Sequence, residues 1–290
     1  MRIHNSRREF LGKLAAGGGA AALFNLGGFS TTDAANGRTA FFANSAPNDL
    51  PTEFPRQDIE SVREVVGASH GRFDRVKELV LARPALAKAS WDWGFGDWET
   101  ALGAASHMGR NDIAEFLIEH GAHPNIFTFA MLGKLSAVQS IVESMPGVQK
   151  TPGPHGITLL QHARNRLRRK DISTEDKANV EQVVEYLESI GDADIGEKSI
   201  EISEKQMAMY FGDYRFTDGE MGVFTVELNR RGRLYLSRGK EIGRTLNLVE
   251  QHGFAPSGAP AVRIRFEVVE NKTVSLTIHD PEPLVKAVRV

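Results

Sequence analysis

Cysteine is absent from the 290-residue chain, which excludes disulfides, thiolate metal sites and a cysteine nucleophile in any compartment. A charge excess of either sign is also missing. The chain has 35 basic and 37 acidic residues and a formal charge of −2, which argues against a dedicated nucleic-acid binder. Aromatic residues make up only 8%, and all three tryptophans fall between positions 91 and 98. No apolar run is clean enough for a stable membrane-spanning helix, because the one near the start is broken by Lys13, Asn25 and many glycines. What remains, 41% hydrophobic and 25% charged, is enough to build the core of one large or two ordinary domains.

The opening residues carry an address. Arg2, Arg7 and Arg8 make a basic start, a Gly/Ala/Leu-rich run follows to about Phe29, and small residues come later. These are the parts of an export signal in their usual order. Ser6-Arg7-Arg8-Glu9-Phe10-Leu11 resembles the twin-arginine signal, with Gly12 before Lys13 displacing the usual lysine by one place. Cleavage after Ser45 suits Ala43 and Ser45, with Thr32-Asp33-Ala34 as a rival site. Residues 1–45 are thus expected to be a signal peptide, and residues 46–57 a Pro-rich linker. A chain starting at Ala46 is mildly acidic. The resemblance implies a periplasmic or secreted destination, with no membrane span once the signal is removed.

Residues 58–196 show an internal period. At +5, +8 and +9 from Gly71 stand Val76, Leu79 and Val80; from Gly109, Ala114, Leu117 and Ile118; from Gly133, Val138, Ile141 and Val142. A fourth set, placed back from Gly191, comprises Val184, Leu187 and the polar Glu188, with Val183 and Tyr186 in support. Each set makes an apolar stripe on a helix. A shorter helix rich in small residues precedes each, most clearly from Thr100 to Ser106 and from Thr158 to Arg164. Thr100-Ala101-Leu102-Gly103-Ala104-Ala105 and Gly121-Ala122-His123-Pro124-Asn125 resemble the helix-opening and finger motifs of ankyrin repeats. The resemblance implies about four helical pairs, each hiding its stripe on a neighbour. The spacing is uneven around a repeat of about 33 residues, which places insertions at 90–99 and 166–176.

From about Ser203 the period becomes two. A short helix is expected over 202–209, followed by alternating sets such as Phe224/Val226/Leu228, Leu234/Leu236, Val262/Ile264/Phe266/Val268 and Val274/Leu276/Ile278. Turn residues separate these sets, so 203–290 reads as an antiparallel meander or small barrel. Tyr210-Phe211-Gly212-Asp213-Tyr214 and Gly232-Arg233-Leu234-Tyr235-Leu236 resemble the lipocalin-like accessory domain that follows the catalytic domain of some serine β-lactamase-like hydrolases. In that family the domain carries no catalytic residue. The interior is expected to be filled by side chains.

Catalytic motifs are thin. Gly67-Ala68-Ser69-His70-Gly71 spells a nucleophile elbow, but a helix precedes it where the elbow needs a strand, and Ala105-Ser106-His107-Met108-Gly109 nearly repeats it at the corresponding turn. A structural repeat accounts for both copies. Ser237-Arg238-Gly239-Lys240 is a chance Ser-x-x-Lys. The nine histidines form no recognised zinc set along the chain, and no cofactor motif is present. The basic run Arg164, Arg166, Arg168, Arg169 and Lys170 reads as a solvated insertion.

The reading is therefore α+β in two domains, a short ankyrin-like α-solenoid followed by a small antiparallel β-meander or barrel. It describes a non-enzymatic, exported binding protein with a protein partner and no metal. The expected contact residues are Trp91, Trp93, Phe95 and Trp98 of the insertion, with His120, His123 and Asn125 of the neighbouring finger. The alternatives are an enzyme, or an enzyme's accessory protein, with a pocket between the domains, or a carrier of a small apolar ligand in the β-domain.

Overall fold

The first helix of each pair starts where a polar side chain answers free backbone N–H groups. In the computed structural model, residues 56–290 are described, apart from 240 and 242; the expected signal peptide lies outside the described residues. Asp58 caps α1 (Ile59–Ala68), Thr100 caps α3 (Ala101–His107), Asn125 caps α5 (Ile126–Met131) and Thr158 caps α7 (Leu159–Leu167). The partners of the first three follow tight turns: α2 (Phe73–Ala82), α4 (Asn111–Glu119) and α6 (Leu135–Ser144). Ser173 caps the longer α8 (Thr174–Ser189), and a hairpin of β1 (Ser90–Asp92) and β2 (Trp98–Thr100) lies between the first two pairs.

Within each pair the two helices touch, and α1, α3, α5 and α7 also contact one another in succession. One apolar core joins the first two pairs through Val66, Val80, Leu102, Ile113 and Leu117. A second joins the last two through Ala130, Val138, Leu159, Val183 and Leu187. The expected stripes face these cores, with one shift: α8 buries Val180, Val183 and Leu187, while Val184 is only partly buried. The basic insertion is solvated in part. Arg168 and Arg169 lie outside, but Arg166 is buried and donates to the Gly109 carbonyl at 3.3 Å.

The second part is a closed eight-stranded antiparallel barrel in meander order. Ser203 opens α9 (Glu204–Met207) with a capping box, and a 3₁₀ turn leads into β3 (Gly212–Arg215). The strands continue as β4 (Val223–Leu228), β5 (Leu234–Arg238), β6 (Arg244–Glu250), β7 (Gly253–Pro256), β8 (Arg263–Val269), β9 (Lys272–Asp280) and β10 (Glu282–Arg289). Closure comes from β10 on β3, with Val288 opposite Arg215 and Arg289 opposite Tyr214. No strand edge is left unpaired by this closure. Tyr214, Phe254, Ile264, Phe266 and Leu276 pack in the interior, and the Tyr214 hydroxyl donates to the Tyr210 carbonyl at 2.7 Å.

Gly109 joins α3 to α4 at φ +65°, and a Cβ there would sit 2.9 Å from the backbone of Arg166. Gly121, also left-handed at φ +92°, faces open space. Gly109→Ala is therefore expected to cost more than Gly121→Ala, about 2–3 against about 1 kcal/mol. Urea unfolding of the two variants measures the difference.

Candidate functional site

The expected insertion folds as a hairpin. Its strands, β1 (Ser90–Asp92) and β2 (Trp98–Thr100), pair Trp91 with Glu99 and Asp92 with Trp98. Its tip turns through Gly94, Phe95 and Gly96, all at positive φ, and the Asp92 carboxylate accepts from the Gly94 and Gly96 N–H groups at 2.8 and 3.2 Å. Alternation along β2 then decides which way each side chain faces. Trp98 points out and is 63% exposed, Glu99 is fully buried, and Thr100 turns to cap α3.

The hairpin does not stand free. Trp91 and Trp93 pack on the core of the first two helical pairs, and Phe95 packs on the barrel core. At the barrel mouth a cavity of about 420 Å³ remains, lined in part by Trp93, Phe95, Leu236, Arg244 and Ile278. A separate groove of about 360 Å³ runs past Trp98, Asn125, Phe127, Pro152, Pro154 and His162. Of the expected contact residues, Trp98 and Asn125 share this groove, while Trp93 and Phe95 line the barrel-mouth cavity. His123 is exposed, and His120 is partly buried with its ring 4.2 Å from that of Phe116. Trp91, Trp93 and Phe95 are each half-buried, because rings that can reach two apolar cores pack part of their surface there.

Behind Trp98 lies a cluster that the order of residues conceals. Glu99 faces His70 Nε2 at 3.4 Å, His107 Nε2 at 2.9 Å and His155 Nε2 at 3.4 Å. Trp93 Nε1 donates to the same carboxylate at 2.8 Å. His70 sits in the turn after α1 and His107 at the end of the adjacent α3, so the stacking of first helices brings them together. His155 comes from the 3₁₀ turn before α7, held at φ +60°. Its backbone N–H and Nδ1 both bond the Asp97 carboxylate, at 2.9 and 2.6 Å. Arg244 of β6 approaches Asp97 at 3.3 Å and brings the barrel to the site.

Burial pushes the Glu99 carboxyl upward, but the imidazoles of His107 and His155 outweigh it and hold Glu99 below the usual carboxylate range. Burial pulls His155 down, and Asp97 and Glu99 overcome that to raise it to about 9. Burial lowers His70, and it lowers His162 to about 4, leaving His162 neutral. The His107 Nε2 and Glu99 Oε1 atoms are buried and close, yet neither makes an aligned hydrogen bond. Three imidazoles and one carboxylate therefore converge on one point, a donor set suited to a transition ion. The neighbouring serines take no part. Ser69 and Ser106 each bond the carbonyl four residues back, at 2.7 Å.

Sequence spacing suggested no metal set, because the four donors are spread from position 70 to 155. One signal was present: the near-repeat of Ala68-Ser69-His70 in Ala105-Ser106-His107 places two histidines at stacked turns.

Helices followed by a closed antiparallel barrel define a mixed α and β protein. Within the helical part, residues 97–129 match the family model of the ankyrin repeat. No curated protein matches the chain. A solved structure titled "Crystal structure of SurE with D-Leu" is 22% identical over 41% of this chain, with a TM-score of 0.22, too low to carry an argument. The match spans 28% of that protein's length.

Trp93→Phe keeps an aromatic ring, though a smaller one, and removes the donor to a buried carboxylate. It is expected to cost about 1.5–3 kcal/mol in urea unfolding, while Trp98→Ala stays within about 0.5 kcal/mol.

Proposed function

We propose that the protein is an exported interaction module, not an enzyme, that holds a protein partner in the bacterial envelope. In this reading the four helical pairs form a short ankyrin-like solenoid, and the barrel is a lipocalin-like accessory support, as in the β-lactamase-like hydrolases it resembles. The contact surface is narrower than the sequence suggests: it comprises Trp98 and Asn125 along the groove, flanked by His120 and His123. The observation that carries the reading is the exposed Trp98 indole beside that groove, inside the stretch that matches the ankyrin repeat. A tryptophan left mostly in water is uncommon, and such rings often anchor partners, each contributing ~2 kcal/mol or more.

Two experiments test this function. Replacing Arg7 and Arg8 with lysine is expected to keep the protein inside the cell at its uncleaved size, measured by fractionation and intact mass; unchanged export would remove the twin-arginine reading. A photo-crosslinker at position 125 is expected to trap a discrete partner. Purified wild-type protein should compete for that partner, whereas Trp98→Ala should compete at least about tenfold less well, the loss of about 1.4 kcal/mol or more. Equal competition by the two proteins would refute the surface.

A further inference from the structure

We propose that His70, Glu99, His107 and His155 form a closed binding site for one divalent transition ion, with zinc the best fit. This inference goes beyond the interaction reading and does not depend on it.

The chemistry of the donors sets the class of ion. Imidazole nitrogen and carboxylate oxygen suit zinc and its first-row neighbours, whereas calcium and magnesium take oxygen shells. The spacing fits as well. Bonds of about 2.0–2.1 Å in a tetrahedron put donor atoms about 3.3 Å apart, and the three imidazole Nε2 atoms lie 3.4, 2.9 and 3.4 Å from Glu99 oxygens. All four donors lie within 4.8 Å of one another, a separation that a small contraction would close.

The surroundings prepare the ligating nitrogens. His70 Nδ1 lies 3.2 and 3.3 Å from the carbonyls of Val66 and Gly67, which takes its proton there and leaves Nε2 facing Glu99. His155 Nδ1 bonds Asp97 in the same way, so its Nε2 also faces inward. A carboxylate behind a ligating histidine is the common outer-shell device of zinc sites. Trp93 donates to Glu99 Oε2 and fixes the carboxylate. The buried His107 Nε2 and Glu99 Oε1, close but out of line for a hydrogen bond, are the atoms a central ion would satisfy. His70 and His155 are the partly exposed side of the cluster and supply a route for the ion. Four protein donors leave no open position, the mark of a structural rather than a catalytic site. The ion would tie the first pair, the hairpin, the second pair and the turn before α7 at one point.

The test uses purified protein stripped with EDTA, shown to be folded by circular dichroism, and then titrated with ZnCl₂ or CoCl₂. One equivalent of zinc is expected to bind and raise the melting temperature, and cobalt is expected to give the intense visible bands of a tetrahedral site. His107→Asn and Glu99→Gln should each weaken zinc binding by more than about 100-fold. Asp97→Asn, acting from the outer shell, should weaken it about 10–100-fold with the stoichiometry kept. His279→Asn, on β9 of the barrel and outside the cluster, should leave zinc binding unchanged. Folded wild-type protein that binds no stoichiometric zinc, or gives only the weak spectrum of octahedral cobalt, would overturn the proposal. So would binding unaffected by His107→Asn. If the ligand variants do not fold, the wild-type cobalt spectrum and stoichiometry decide.

Discussion

Two carboxylates on one short hairpin, Asp97 and Glu99, are buried together, and the placement of the surrounding elements follows from what that burial requires. Removing an ion from water costs several kcal/mol unless partners replace the lost solvation. Here the partners come from every side: Trp93 from the hairpin itself, His70 and His107 from two stacked helices, His155 from the turn before α7, and Arg244 from the barrel. None of these elements can shift far without leaving a buried charge unanswered. The network adds specificity of arrangement where the apolar cores alone would tolerate sliding.

The same requirement fixes what the hairpin can show to solvent. In a strand, neighbouring side chains face opposite ways, so a buried Glu99 forces Trp98 outward and Thr100 toward the start of α3. The tip, turned by Gly94 and Gly96, carries Phe95 to the barrel core. A finger that looked free to contact partners is thus mostly a fastening between helices and barrel, with one indole left on its outer side. Glu197 fastens the same boundary from another direction, accepting from Asn247 and from the Gly258 N–H at 2.9 and 2.8 Å.

The sequence showed its regular parts well. Helical stripes such as Val76, Leu79 and Val80 and strand alternations such as Leu234 and Leu236 face the cores because local period and tertiary burial agree there. The direction of the tryptophans was hidden, since an aromatic side chain satisfies an inward and an outward place equally well until the neighbouring surface is known. The histidine cluster was hidden for a different reason: its members lie far apart in sequence and meet only after the pairs stack. Arg166 lies in a run of exposed cations, and only the close approach of Gly109 to α7 reveals it as buried.

Because Trp98 and Glu99 are consecutive, the buried cluster and the outward surface share one peptide link. Whatever holds Glu99 in place also sets the direction of the neighbouring indole and the shape of the groove beside it. A ring held in one orientation loses less conformational freedom when a partner covers it, and that saving appears as affinity without any added contact. An ion drawing the three imidazoles and the carboxylate inward would therefore act on the outward surface through rigidity rather than through contact. The fold in this way ties a polar, inward-facing site to an apolar, outward-facing one across a single peptide link.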